Sequence, residues 1–273
     1  MKRSAELGAG LWRTTFLSNL ISAVLFCALL GMDAPPVRWE WLWQPFCVAL
    51  CLFAGLIAQF FALEKGDVSI TVPVLGLKVV GVAFLTPLFT EDRVDARIWC
   101  AAFLCVAGIA LLNRKHAGRP SPNVGLTVLA AAFTAASFAL FDVLVQRWGP
   151  VWGAGRFLPA VYFFNALFSF ALIPKFRAPL RDLPRQTLVW LVPGAILLGG
   201  QAILFVGTLA VFGKAAIANV VYASRGLLSV LTVWLAGHWF KNSEQDLGAR
   251  VLVGRLLGAL CMLSAIVLVV TRR

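Results

Sequence analysis

Long apolar stretches, each about 20 residues and divided by short polar connections, recur along the whole chain. A helical run of that length crosses a hydrocarbon layer of roughly 30 Å at 1.5 Å per residue. Inside a bilayer no water satisfies the backbone, so every N–H and C=O needs an internal partner and the runs are predicted to be α-helices. The alternating segments of about ten residues that mark a membrane β-barrel are absent. Nine spans are expected, at roughly 12–31, 42–63, 67–89, 96–113, 124–146, 156–174, 187–211, 214–239 and 250–271. Helix breakers fill the connections at Asp33 to Pro36, Gly118 to Pro122, Pro174 to Pro184 and Lys241 to Asp246. The expected fold class is all-α, a polytopic membrane protein with no soluble domain.

Short matches at a nearly constant offset point to two copies of one unit. Gly8-Ala9-Gly10 matches Gly153-Ala154-Gly155 at an offset of 145, and Asn19 matches Asn165 at 146. Gly66 and Ile70 match Gly213 and Ile217 at 147, and Lys78 then falls on Arg225. The halves are expected at 1–115 and 122–273, together forming one membrane domain. The span at 124–146 finds no counterpart in the first half, since subtracting 145 leads to positions before Met1. Four spans are therefore expected in the first half and five in the second. The first helix of a ten-helix ancestor would be missing, through truncation or a misplaced start.

Composition agrees with this pattern. Of 273 residues 60% are hydrophobic and 13% charged, too little polar surface to cover a soluble core. The net charge of +12 raises nucleic acid as a partner, but the basic residues sit in connections such as Arg114–Lys115 and Arg177 to Arg185. Those are the positions where Lys and Arg fix membrane topology, and no nucleic acid is expected. Their distribution favours a cytoplasmic N-terminus. Trp39, Trp41, Trp43, Trp148, Trp152 and Trp239 stand at span ends, as an interfacial belt requires. Met1-Lys2-Arg3 before an apolar run imitates a signal peptide, but the cleavage pattern is poor and the run reads as a retained helix. Six cysteines lie inside apolar runs without metal spacing and read as small buried hydrophobes, so no metal and no cofactor are expected. No catalytic residues are assigned, because no Ser-His-Asp set, HExxH, P-loop or dinucleotide fingerprint occurs.

The informative residues are charges inside the oil. Lys78 is expected about 11 residues, some 16 Å, from either end of its span, beyond the reach of snorkelling. A charge there costs roughly 2.5–3.5 kcal/mol on insertion scales, and Arg225 repeats it in the second copy. Such groups face a partner or a watery cavity. Asn219, Tyr222, Arg225, Gly226 and Ser229 share one helical arc; Thr71, Lys78 and Gly81 share another; Gln201 and Thr208 lie on one face. Gln59, Asn19 and Asn165 add single polar groups. Lys78 and Arg225 are the candidate contacts for an anionic group, with Asn219, Tyr222, Gln59 and Gln201 lining the site. Asp142 is the one acid well inside a span, near its end, and serves as a structural counter-ion, as a proton-coupling carboxylate or as a solvated, snorkelled side chain. Gly254 and Gly258 form a GxxxG pattern, read as close helix packing, with a homodimer as the further possibility. His238 reads as an interfacial histidine, and Glu64, Lys65 and Asp67 as a solvated turn or a gate.

Several of these features resemble the EamA-like branch of the drug/metabolite transporter superfamily. They are two halves with a helix pair on very short connections, Leu63 to Asp67 and Phe212 to Lys214, and the acidic connection Glu91 to Asp95. The closing Gly-containing segments are Ala107-Gly108-Ile109 and Gly254 to Ser264. The family's proline in the fourth helix of each half has Pro73 or Pro87 as its match in the first copy and none in the second. The resemblance covers essentially the whole chain. It implies alternating-access transport of a small metabolite across the inner membrane, with a small-molecule solute and membrane lipid as partners. It also implies the opposite orientation of the termini. The rival readings are a non-transporting or degenerate packing subunit and a membrane-embedded enzyme acting on lipid, for which no nucleophile, base or metal cluster is visible.

Overall fold

The computed structural model describes residues 9–32, 35–37, 39–65, 68–112, 124–176, 178–225, 228 and 249–271. All regular structure among them is helical, without a strand. In chain order the helices are α1 (Leu11–Phe26), α2 (Trp43–Lys65), α3 (Val68–Gly76), α4 (Lys78–Phe89) and α5 (Ala96–Leu112). They continue as α6 (Val124–Trp152), α7 (Ala154–Ser169), α8 (Arg185–Phe212), α9 (Ala215–Ala223) and α10 (Ala249–Val270). Six stretches of described residues are long and apolar enough to cross a membrane: Leu11–Gly31, Trp39–Leu63, Thr71–Phe89, Val124–Trp152, Ala154–Lys175 and Arg185–Phe212. Ala96–Leu112 and Leu256–Val270 are shorter apolar helices. Of the expected eighth span only the beginning is described. Gly8, Gly66, Asp67, Arg114, Lys115, Gly118 to Pro122, Arg177, Gly226, Ser229, His238, Trp239 and Lys241 to Asp246 lie outside the described residues.

Two helices differ from their predicted form. The span expected at 124–146 runs on to Trp152, and only Gly153 separates it from α7. The span expected at 67–89 is interrupted at Leu77, which divides α3 from α4. Gly10 and Gly153 precede α1 and α7 with φ of 70° and 75° and ψ of 147° and 135°. A β-carbon disfavours that backbone, so glycine stands at both helix starts. The matched backbone thus joins Gly10 to Gly153, an offset of 143, instead of the 145 read from the Gly-Ala-Gly triplets.

The chain packs as two compact units, Met1–Ala54 with Leu144–Gly213 and Gly55–Val143 with Lys214–Arg273. The segment Gly55–Val143 runs across the boundary expected between the halves. In the first unit α1 packs on α7 and α8. Small residues allow the approach: a β-carbon on Gly155 would stand 2.6 Å from the Leu29 carbonyl oxygen, and one on Gly199 2.6 Å from Leu25 Cδ1. Phe26 stacks on Tyr162 with ring centroids 3.6 Å apart. In the second unit α5 lies along α10 and α9 packs on α4 and α5. Val79, Ala83, Ala102, Cys105, Val220 and Ala265 are buried together there. Gly108 and Gly258 meet backbone to backbone, since a β-carbon on either would come within 2.9 Å of the other's carbonyl oxygen. Close contact through glycine is how membrane helices associate when lipid offers no hydrophobic drive between them. Large apolar side chains such as Val24, Leu88, Phe103, Leu129, Leu197 and Leu204 are left exposed, as lipid-facing surfaces require.

Candidate functional site

The two membrane cations each follow a helix break. Leu77 ends the run of α3 in a tightened turn (φ −59°, ψ −16°), its N–H bonding to the Val74 carbonyl at 3.0 Å, and Lys78 opens α4. Ser224 ends α9 in the same way (φ −60°, ψ −17°), its N–H bonding to Val221 at 3.1 Å, and Arg225 follows. One turn on, Gly81 N–H bonds to Leu77 O at 2.8 Å and Leu228 N–H to Ser224 O at 3.1 Å. Every one of these positions has its counterpart 147 residues away (77 to 224, 78 to 225). Pro73 does not cause the break, because its counterpart in the other segment is Val220. A three-residue turn inside a helix marks a hinge or a local functional demand.

Lys78 is paired. Its Nζ stands 2.7 Å from Asp142 Oδ2, and the Asn219 amide donates to the same oxygen at 2.7 Å. The second N–H of Asn219 goes to the Ala215 carbonyl at 3.0 Å, so the amide is held in place. Both donors converge on Oδ2, and Asp142 Oδ1 is buried without a hydrogen-bond partner among the described residues. Asp142 is 1% exposed, whereas the Lys78 side chain keeps 20%. Because α6 extends to Trp152, Asp142 stands ten residues (142 to 152), about 15 Å, inside the helix. The expectation of an acid near a span end is thereby corrected. Gly81 lets α4 approach α6: a β-carbon there would be 3.1 Å from Ala139 Cβ. Lys78 Nζ also lies 5.9 Å from the Phe138 ring.

Arg225 is exposed and held differently. Its guanidinium lies over the Tyr222 ring, 4.3 Å from the centroid, and donates to the Tyr222 hydroxyl. The ring quadrupole and the hydroxyl fix the cation without neutralising it. Gln59 is half-buried on α2, one turn after Gly55, whose missing β-carbon makes room for the Phe138 ring. Gln59, Lys78, Asp142, Asn219, Tyr222 and Arg225 therefore belong to one compact unit.

Gln201, Asn19 and Asn165 belong to the other unit. There Asn19 donates to Ser169 Oγ at 2.7 Å and Ser169 to the Asn165 carbonyl at 2.9 Å, joining α1 to α7. Thr71 and Thr208 spend their hydroxyls on the carbonyls of Ala62 and Leu204. In the acidic connection Asp95 accepts the Ile98 N–H at 3.0 Å and so caps α5, while Asp92 pairs with Lys214 at 2.8 Å. Trp152, expected in the interfacial belt, is buried and donates from Nε1 to Gln44 Oε1 at 2.8 Å. Cys27 and Cys100 are exposed, not buried as expected, and all six thiols are free. Sequence reasoning passed over Arg13, which is buried and donates to the Ala9 and Pro179 carbonyls. It also named Asn219 only as a lining residue, although its amide is the second donor to Asp142.

The chemistry offered is that of two cations on broken helices, one balanced by a buried carboxylate and one presented on a tyrosine. The sequence model of the EamA-like transporter family matches residues 1–114. Two relatives are each described as a probable 4-amino-4-deoxy-L-arabinose-phosphoundecaprenol flippase subunit ArnE. The protein of Pseudomonas fluorescens is 27% identical over 92 residues, 33% of this chain and 81% of the relative. That of Pseudomonas savastanoi pv. phaseolicola is 30% identical over 79 residues, 29% of this chain and 67% of the relative. A crystal structure of another protein superposes with a TM-score of 0.70 at 16% identity, over 100% of this chain and 93% of the other, a likeness of fold alone. The chain belongs to the EamA-like transporter family, as a multi-pass protein of the inner membrane with a transporter-like role.

Proposed function

We propose that the chain is a secondary transporter that moves a small anionic or zwitterionic solute across the inner membrane by alternating access. Lys78 and Arg225 are the anion contacts, and Asn219, Tyr222 and Gln59 line the path in the same compact unit. The observation that carries this reading is the pair of helix breaks 147 residues apart, each followed at once by a cation. Transporters built from repeats bind solutes at interrupted helices in just such pairs. The matching breaks also support the reading of 1–115 and 122–273 as duplicated halves. So does the length of the Pseudomonas fluorescens relative, about 114 residues, since 92 residues are 81% of it.

The relatives favour one solute class more narrowly. Both are described as acting on a phosphoundecaprenol-linked sugar, and a phosphate group suits a lysine and an arginine. A lipid-linked phosphate is therefore the second reading. Since both are described as subunits, a partner subunit joins the solute as a candidate partner. A homodimer through the GxxxG pattern would have to use Gly254, because Gly258 already packs on Gly108.

The test is counterflow in proteoliposomes with two probes, radiolabelled glutamate and a fluorescent short-chain polyprenyl phosphate. K78A and R225A are expected to abolish the flux of whichever probe the wild type carries, with membrane insertion unchanged. Wild-type flux of neither probe favours the packing-subunit alternative. Unaltered flux in both variants removes Lys78 and Arg225 from the mechanism.

A further inference from the structure

We propose that binding of an anion at Lys78 is coupled to uptake of one proton by Asp142. This rests on the transporter reading above and adds the coupling ion to it.

The geometry sets up an exchange. Lys78 is the group that can move, since its side chain retains 20% exposure while Asp142 retains 1%. An incoming anionic group that takes the ammonium removes the counter-ion of a fully buried carboxylate. Asp142 then keeps one donor, the Asn219 amide on Oδ2, which is tied to Ala215 and cannot follow Lys78. Among the described residues no second cation is paired with Asp142, and Arg225 is held on Tyr222 further along α9. Between Leu52 and Leu63 of α2 the one polar side chain is Gln59, which carries no charge, and α6 offers no other titratable side chain between Val124 and Asp142. A lone buried charge is far costlier than a neutral acid, so the proton comes with the anion.

Oδ1 is the atom that takes it, being buried and without a hydrogen bond while Oδ2 accepts two. The charges balance. Before binding, the site holds one ammonium and one carboxylate; afterwards it holds the ammonium, a monoanion and a neutral acid. Counted without Arg225, which keeps its charge throughout, the sum is zero in both states, so anion binding adds no net charge within the apolar layer. A monoanion and a proton therefore travel together, and a proton gradient of the right sign drives accumulation.

Difference infrared spectroscopy of the purified protein reads the proton directly through the C=O stretch of a neutral carboxyl. A maltoside detergent, which has no ester carbonyl, keeps that region clear. The probes are glutamate and dimethyl phosphate, a carboxylate and a phosphate without a titration near neutral pH. In wild type the neutral-carboxyl band is expected to be absent without a probe and to appear with one. K78Q is expected to show the band with no probe at all, and K78Q/D142N to lose it. If Asp142 stays ionised in K78Q, or the wild type gains no band under either probe, the coupling is overturned. Thermal stabilisation by the probes, followed in R225A beside wild type, reports the anion site itself. Stabilisation that persists without the band discards only the coupling; absence of both discards the solute site with it.

Discussion

The Lys78–Asp142 pair makes a demand on stability that can be measured apart from transport. In D142A the ammonium loses its partner but keeps some exposure and the Phe138 ring 5.9 Å away. Removing one member of a buried pair costs about 3–5 kcal/mol, and this variant belongs near about 3. K78M takes the counter-ion from an acid at 1% exposure, which then takes up a proton and keeps the Asn219 amide, so this variant also belongs near about 3 kcal/mol. Independent effects would sum to about 6 kcal/mol. K78M/D142L removes both charges with little change in volume. Its cost is the orphaned amide donor of Asn219, about 1–3 kcal/mol. The double-mutant cycle should therefore give a coupling of at least about 3 kcal/mol, the upper end for residues in contact. The assay is equilibrium unfolding of the purified protein in mixed micelles, titrated with a denaturing detergent. Single effects that add within about 0.5 kcal/mol refute the pair as an energetic unit, and the site built on it falls.

Three further variants probe what holds the site in place. G258A sets a β-carbon 2.8 Å from the Gly108 carbonyl oxygen and should destabilise by about 1–3 kcal/mol, while G254A, 3.8 Å from the Leu111 carbonyl, should be nearly neutral; thermal unfolding of both distinguishes them. W152F removes the donor to buried Gln44 and should cost about 1–3 kcal/mol by the same measurement, with W152F/Q44L recovering most of it. D92N breaks the partly exposed pair with Lys214 and should cost less than about 1 kcal/mol, with an effect that vanishes at high salt.

Membrane class and most element positions were legible because apolar run length is a direct consequence of bilayer thickness. The site residues were partly legible for a related reason, since a cation in oil is conspicuous at any position. The hinge was not. Leu77 and Ser224 carry no breaker signal, and the proline that might have flagged one of them, Pro73, stands four residues too early and has no counterpart in the other segment. The end of α6 was misplaced for a different reason: Gly149 and Pro150 look like a stop, yet Gly149 packs on Ala210 and the helix continues to Trp152. That misplacement set Asp142 near a span end, where its part as counter-ion to a buried cation stood as one reading among others.

The remaining asymmetry is the most instructive feature of the pair of breaks. Lys78 and Arg225 have the same backbone setting, yet a carboxylate comes to one and a tyrosine to the other. Residue chemistry accounts for the division. A lysine ammonium is a compact charge that a single buried oxygen can balance, and it leaves that oxygen readily because its stem is flexible. An arginine guanidinium stacks on a ring, spreads its charge and keeps several N–H donors directed outward, suited to a planar carboxylate or phosphate. On the transporter reading the arginine recruits the anion and the lysine, by giving up Asp142, registers its arrival. Exchanging the two types in K78R/R225K keeps the charge and should bind glutamate or dimethyl phosphate more weakly, while blunting the proton response. A doubly exchanged protein that binds and protonates like wild type would show that charge alone matters and that this division of labour is absent.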